Sequence, residues 1–314
     1  MVARDRRRAP GRQAAGPRGV REVLVTGGNG QLGTELKRYP WPAGWRVVPV
    51  DIDELDLRDT HAIAAMVASR PWAAVISGGA YTAVDKAEED VVTAWAVNAL
   101  APAAFAQACR TADVPLVHVS TDYVFDGSKQ GRWAPGDPTG PLGVYGASKL
   151  GGDLAVATGC PRHAIVRTSW VVSAHGNNFI RTMLRVGAER DTLRVVDDQH
   201  GAPTSAADLA AAVATIALAM ADDPAAPAGT FHFSNAGETT WCGFARAIFE
   251  RAARRSGPAP TVEAIATADY PTPARRPANS RLDHEAIRTA YGITPRPWQD
   301  ALDDILDELM GTPK

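Results

Sequence analysis

Short apolar runs rich in valine alternate along this chain with segments of helical period, and glycine or proline clusters separate the two kinds. The runs are EVLVT (Glu22 to Thr26), RVVPV (Arg46 to Val50), AAVIS (Ala73 to Ser77), PLVHVS (Pro115 to Ser120), AIVRT (Ala164 to Thr168) and LRVV (Leu193 to Val196). An apolar run without polar alternation reads as a strand covered on both faces. Between the runs, apolar spacing predicts helices over Gln31 to Arg38, Thr60 to Ser69, roughly Asp85 to Thr111, Tyr145 to Ala157 and Asn178 to Glu189. Strand and helix taking turns in this way predict an α/β fold, a Rossmann-like doubly wound parallel sheet with helices on both faces.

After about residue 200 the rhythm weakens. Ser205 to Ala221 reads as an alanine-rich helix, Thr230 to Ser234 as a strand and Thr240 to Arg255 as a helix. A Pro-rich loop, Tyr270 to Arg281, precedes two closing helices. The expected division is a dinucleotide-binding domain over 22–170, with 202–225 packing on it, and a smaller C-terminal substrate-binding domain from 171–201 and 226–314. Ligands in open α/β sheets sit beyond the carboxyl ends of the strands, where such a domain closes over them.

Composition narrows the class. The chain has 314 residues, 45% of them hydrophobic, and a formal net charge of -2. Nothing global points to nucleic acid or to anionic membranes, and no apolar run reads as long enough to span a bilayer. Cys109, Cys160 and Cys242 are far apart and in no CxxC arrangement, which argues against a disulfide framework and is compatible with a cytoplasmic location. Residues 1–21 differ in kind, with seven arginines among glycines and prolines and no apolar core for a signal peptide. They read as a disordered basic tail rather than an arm for RNA or membrane.

The candidate chemistry begins with Thr26-Gly27-Gly28-Asn29-Gly30-Gln31-Leu32-Gly33, a glycine-rich turn between a strand and a helix. Gly27 permits the tight turn, Gly30 lets a pyrophosphate approach the backbone, and Gly33 lets the helix pack close to the sheet. The helix start then offers N–H groups to phosphates. Asp51, at the end of the second strand, is placed to meet the adenosine ribose; this favours NAD, while nearby Arg58 offsets it, so the choice between NADPH and NADH stays open.

Val144-Tyr145-Gly146-Ala147-Ser148-Lys149 opens a helix in which Tyr145 and Lys149 share one face. A free phenol has a pKa of about 10. An ammonium about 4 Å away contributes about 4 kcal/mol at an effective dielectric near 20, so Lys149 is expected to bring Tyr145 down toward the range of efficient general acid catalysis. Thr121, just after the fourth strand, places a hydroxyl where it can polarise a carbonyl oxygen. His118 reads as a core histidine and His200 as a pocket wall. Arg275 and Arg276 could pair with a diphosphate or stand in solvent, and Trp41, Trp45, Trp241 and Trp298 read as packing or surface residues.

With these motifs placed, the chain resembles the extended short-chain dehydrogenase/reductase superfamily and, within it, the dTDP-4-dehydrorhamnose reductase family. The specific features are TGGNGQLG, AYTAVDKAE (Ala80 to Glu88), STDYVFDG (Ser120 to Gly127), VYGASK, RTSWV (Arg167 to Val171), GNNF (Gly176 to Phe179), DDQHGAPT (Asp197 to Thr204) and YPTPARRPANSRL (Tyr270 to Leu282). The resemblance implies reduction of dTDP-4-dehydro-L-rhamnose by NADPH or NADH. It places Gly30, Gln31 and Leu32 on the pyrophosphate, Asp51, Asp56 and Leu57 around the adenosine, and Ala80, Tyr81 and Thr82 along the cofactor. Tyr145 and Lys149 would also contact the nicotinamide ribose, and Thr121, Asp122 and Trp170 would hold the deoxysugar. An epimerase of the same fold and a non-catalytic NADP-binding regulatory subunit are the alternatives.

Three departures from the family pattern stand out. Leu150-Gly151-Gly152-Asp153 replaces the usual Ala-Gly-Glu after the lysine, an extra helical glycine not expected to touch chemistry. Ser77-Gly78-Gly79 replaces Asn-Ala-Ala, expected to loosen the chain beside the cofactor. Some relatives bridge two subunits with Mg2+ through three glutamates; Glu35 and Glu308 match two, but the third aligns with Ala207, and neighbouring Asp208 is a poor substitute. A metal-bridged dimer is therefore not expected, and a homodimer is neither required nor excluded.

Overall fold

The structure, a computed structural model, describes residues 19–313. The expected basic tail therefore lies outside the described residues up to position 18. Its last member, Arg21, does not belong to it: Arg21 opens the first strand and lays its guanidinium 3.9 Å over the Trp45 ring.

The first half follows the predicted alternation. Strands β1 (Arg21–Thr26) and β2 (Trp45–Val50) flank helix α1 (Gln31–Arg38), and α2 (Thr60–Ala68) leads to β3 (Ala74–Ser77). Asp59 starts α2 by accepting from the His61 and Ala62 N–H groups, which satisfies donors that a helix start leaves free. The long helix expected from Asp85 to Thr111 is interrupted. It comprises α3 (Val84–Ala87), α4 (Val91–Trp95), a π turn (Ala96–Leu100) and α5 (Ala101–Ala112). The stretch Val91–Ala112 taken as one helix is long and apolar enough to cross a membrane by length and composition, contrary to the expectation above. It lies against the sheet instead, with Phe105 and Cys109 in the core.

β4 (Leu116–Thr121), α6 (Val144–Gly159) and β5 (His163–Thr168) complete the predicted pattern. Beyond them come β6 (Val171–Val172), α7 (Phe179–Glu189), β7 (Thr192–Val196), β8 (His200–Gly201), β9 (Thr204–Ser205) and α8 (Ala206–Asp222). The chain ends with β10 (Gly229–His232), β11 (Thr239–Thr240), α9 (Trp241–Ala253), β12 (Thr261–Ile265), α10 (Glu285–Tyr291) and α11 (Trp298–Met310).

Six strands form one parallel sheet in the order β10-β5-β4-β3-β1-β2. The order reverses at β1, so β1 and β3 part at their carboxyl ends and leave a crevice there. Val23 and Val25 face α8, while Leu24 faces the layer of α2 and α5. This alternation explains the unbroken apolar runs, since both faces of each strand are covered.

Two strands changed places relative to expectation. LRVV, read as another member of the apolar series, pairs with β12 in a separate two-stranded sheet. The run at 230–234, grouped by its position with the substrate part, supplies β10 beside β5 in the main sheet. A separate hydrophobic cluster gathers Phe244 and Ile248 of α9, Trp298 and Leu302 of α11 and Ile180 of α7.

Candidate active site

The glycine-rich turn is shaped by close backbone approach. Gly27 has φ +74, a left-handed conformation that disfavours a side chain. A Cβ on Gly33 would lie 2.2 Å from the Gly27 carbonyl oxygen, so only glycine lets α1 start this close to the turn. Gly30 caps α1 without a side-chain hydrogen bond, which leaves the first N–H groups available to an anion. Gln31 also ties the loop to the segment between β6 and α7: its Oε1 accepts from Ser173 Oγ (2.8 Å) and from Asn178 Nδ2 (3.1 Å).

A cleft of about 620 Å³ opens from this turn along the carboxyl ends of the strands. Gly27, Gly30, Gln31, Leu32 and Gly33 form one end. Asp51, Asp56 and Leu57 line one side, Ala80, Tyr81 and Thr82 another, and Tyr145 and Lys149 the far end. The residues predicted for cofactor binding are thus brought to one cleft. Asp51 accepts from the Asn29 N–H (2.8 Å) and the Ile52 N–H (2.9 Å), so its carboxylate braces the glycine turn. Arg58 is engaged with Asp56 (Nη2 to Oδ2, 2.6 Å), which holds the Asp56 carboxyl below its usual range. Arg58 and Asp51 line the same cleft, so both signs of charge stand on that side of it. Gly79 is closely surrounded: a Cβ there would meet Leu57 Cδ1 at 2.8 Å, and its N–H donates to Thr26 Oγ1 at 3.1 Å.

These features fit a dinucleotide. The turn is a cradle that side chains would fill. Ser120 and Thr168 line the same cleft with buried hydroxyls that have no partner, and a buried hydroxyl without a partner marks a place where a ligand or water is needed.

At the far end, Tyr145 and Lys149 share a face of α6 as their spacing predicts. Lys149 is 2% exposed and its Nζ donates to the Val119 carbonyl at 2.7 Å. Burial pulls its pKa down to about 8, with Asp153 opposing. The Tyr145 ring lines the cleft and meets Tyr123 edge-on, with centroids 5.4 Å apart. Its pKa is pushed up to about 12, chiefly by burial, against the lowering effect of the Thr121 hydroxyl. This corrects the expected depression by Lys149: in the free site desolvation of the phenolate dominates, and one donor of the ammonium is engaged by a carbonyl of β4.

Thr121 ends β4 as predicted. Its hydroxyl donates to Asp122 Oδ1 (3.1 Å) and accepts from the Tyr123 N–H (3.2 Å). Asp122 is 2% exposed, and its Oδ2 has no partner. Burial raises its pKa to about 6, while hydroxyls of Ser280 and Thr121 oppose the rise. Trp170 stands apart from the cleft lining. It holds φ +48, unusual for a residue with a side chain, and stacks on Trp241 at 3.7 Å. Trp241, read as packing or surface, is therefore half of an aromatic wall with a predicted sugar-binding residue.

His118 is buried as expected, yet its Nε2 has no partner and stands 3.8 Å from Asp153. Burial, then Lys149, holds its pKa well below the usual histidine range, so it stays neutral. Arg275 is exposed, whereas Arg276 is held by Asp85. The main omission from the sequence reading is Asn98, in the π turn. It accepts from the Tyr81 N–H (2.9 Å) and donates to the Tyr81 carbonyl (3.1 Å) and to Ser148 Oγ (3.1 Å), joining the cofactor strand end to α6. An asparagine inside an apolar helix was its one visible signal.

The glutamates matching the magnesium positions do come together, with His175 Nε2 at 3.2 Å from Glu35 and 3.5 Å from Glu308. Arg38 Nη1 sits among them, 2.8 Å from Glu308 and 3.4 Å from Glu35. Asp208 faces Arg296 at 3.0 Å. A guanidinium and an imidazole thus stand where a magnesium ion needs oxygens, and the residues do not fit that ion. Excess EDTA is expected to leave the Tm unchanged; a fall of several degrees, reversed by added Mg2+, would contradict this.

The comparisons with known proteins agree with the geometry. The RmlD substrate binding domain family matches residues 21–310. The dTDP-4-dehydrorhamnose reductase of Sinorhizobium fredii is 43% identical over 280 residues, covering 89% of this chain and 94% of that protein. The crystal structure of a dTDP-4-dehydrorhamnose reductase from Clostridium acetobutylicum superposes with a TM-score of 0.85 at 36% identity, over 92% of this chain and 99% of the other. That of the Bacillus anthracis enzyme in complex with NADP gives 0.85 at 33% identity, with the same coverage. By sequence over nearly its whole length, by fold and by the residues gathered in its cleft, this chain belongs to the dTDP-4-dehydrorhamnose reductase family.

Proposed function

We propose that this chain reduces dTDP-4-dehydro-β-L-rhamnose to dTDP-β-L-rhamnose with NADPH or NADH, the final step in forming dTDP-L-rhamnose. The observation that carries this reading is one cleft that runs from the glycine turn to Tyr145 and Lys149. In this reading the cofactor lies along Gly27 to Gly33, Asp51, Asp56, Leu57 and Ala80 to Thr82. The main sheet and α8 carry it, and residues 171–201 with most of 226–314 close over the sugar. A cytoplasmic location fits three buried cysteines that are all free.

When bound, the nicotinamide cofactor would supply the hydride for a new C–H bond at the ketone carbon C4, with the carbonyl π pair passing to oxygen. Tyr145 gives its proton to that oxygen and is left as phenolate. A phenol with a pKa of about 12 stays protonated at neutral pH, which is what a donor in the reducing direction requires, and the alkoxide it meets is a far stronger base. Lys149, beside it on the same helix face, stabilises the phenolate until solvent returns a proton. Thr121 orients the phenol, and Asp122 holds the Thr121 hydroxyl from behind. Trp170 offers its ring as a wall for the deoxysugar.

The deciding experiment is a steady-state assay with the purified chain, the dTDP keto sugar and either cofactor. One NADPH or NADH consumed per sugar reduced is the expected result. Epimerisation without net consumption would favour the epimerase alternative, and cofactor binding with no turnover would favour a regulatory subunit. Lys149 must carry its proton, so kcat/KM, which reports the free enzyme, is expected to fall as pH rises through about 8. A profile that stays flat well above that range would remove Lys149 from this role.

A further inference from the structure

The single turn from Asp85 to Glu88 lies outside the cleft lining, yet it holds both the start of α6 and the Pro-rich strap. Helix α6 begins without a cap of its own, since Gly143 has no side chain to offer. Glu88 supplies the missing acceptor from a distant part of the chain: its Oε1 takes the Val144 N–H at 2.9 Å. The fit is close, because a Cβ on Gly143 would lie 2.4 Å from that oxygen. A carboxylate at a helix start satisfies a free donor and complements the helix dipole. Tyr145 is the next residue.

Asp85 works in the opposite direction. Its two oxygens take the Arg276 fork, Nη1 at 2.6 Å and Nη2 at 2.8 Å, and Oδ1 also accepts the Ala274 N–H at 3.1 Å. Arg276 in turn donates to the Ala274 carbonyl at 2.6 Å, so the Pro-rich strap is closed on itself and on Asp85 at once. Such a two-pronged pair sets orientation as well as distance. The strap continues to Pro277, packed on Gly127, and to Ser280, which is buried.

We propose that the turn Asp85–Glu88 is a positioning element that sets the catalytic helix and the substrate strap to one another, Glu88 acting on Tyr145 through the start of α6 and Asp85 acting on the nucleotide sugar through Arg276. The proposal rests on the reductase reading for its kinetic consequences. Its structural consequence stands apart from turnover.

The two carboxylates then have separable effects. Glu88→Ala is expected to lower kcat by about tenfold to a hundredfold, as small displacements of a reacting group do, with little change in KM for the nucleotide sugar. Glu88→Gln keeps an acceptor oxygen and is expected to recover kcat to within about threefold of the native enzyme. Asp85→Ala is expected to raise KM for the nucleotide sugar about tenfold, while kcat and the NADPH Kd change by less than about threefold. Backbone hydrogen exchange of the NADPH-bound protein supplies the second readout. It should quicken at 143–147 in Glu88→Ala and at 272–280 in Asp85→Ala, each without the other. Both variants moving kcat and KM together, or neither segment exchanging faster, would overturn the proposal. If the native chain shows no turnover, the reductase reading fails, and the exchange pattern still decides whether the turn sets these two segments.

Discussion

Tyr145→Phe should bind NADPH with native affinity and lose at least about a hundredfold in kcat, the low end for removing a general acid. The ring is retained, and with it the edge-on contact to Tyr123 at 5.4 Å between centroids. What goes is one hydroxyl, the proton donor. The stability cost of losing a single hydroxyl is about 1 kcal/mol, so the Tm moves little while turnover collapses. The measurement is the rate of NADPH absorbance loss under saturating keto sugar, alongside a binding titration. Near-native turnover would show that the proton comes from elsewhere, with buried Asp122 the first group to test.

Gly33→Ala should be the most damaging single-atom change in the cofactor loop. The added Cβ would stand 2.2 Å from the Gly27 carbonyl oxygen and 2.7 Å from the Gly28 Cα, both backbone atoms with no rotamer to yield. The start of α1 must move off the turn, at an overpacking cost of about 1–3 kcal/mol. The N–H groups offered to the pyrophosphate move with it. NADPH affinity is expected to fall at least about tenfold, which corresponds to 1.4 kcal/mol, with the sugar-side residues unchanged. Titration of the variant with NADPH checks this. Unaltered affinity would mean that the pyrophosphate does not lie on this turn.

The legible part of the site was the part encoded over short distances. Gly27 and Gly33 are needed by contacts within one turn, and a spacing of four puts Tyr145 and Lys149 on one helix face whatever surrounds them. Asp51 could be placed because it follows a recognisable strand, and Ala80 to Thr82 through the family resemblance. Glu88 and Asn98 could not, because their partners lie far along the chain at Val144, Tyr81 and Ser148. The protonation of Tyr145 escaped for a related reason. Spacing predicts a neighbouring ammonium, but burial of the phenol and the engagement of Lys149 by Val119 depend on the packed cleft.

By itself the order of apolar runs determined a parallel sheet with helices on both faces, since each valine-rich strand needs cover on two sides. It also determined where the dinucleotide turn and the tyrosine helix fall. Tertiary structure alone decided which strands joined the sheet: LRVV pairs with β12, and the run at 230–234 takes the place beside β5. It also put Arg38 between Glu35 and Glu308, in the space a magnesium ion would need. The physical reason is the range of the forces. Periodicity and backbone strain are settled within a turn or two, whereas strand partners, buried charges and pKa values depend on which distant groups the closed fold brings into contact.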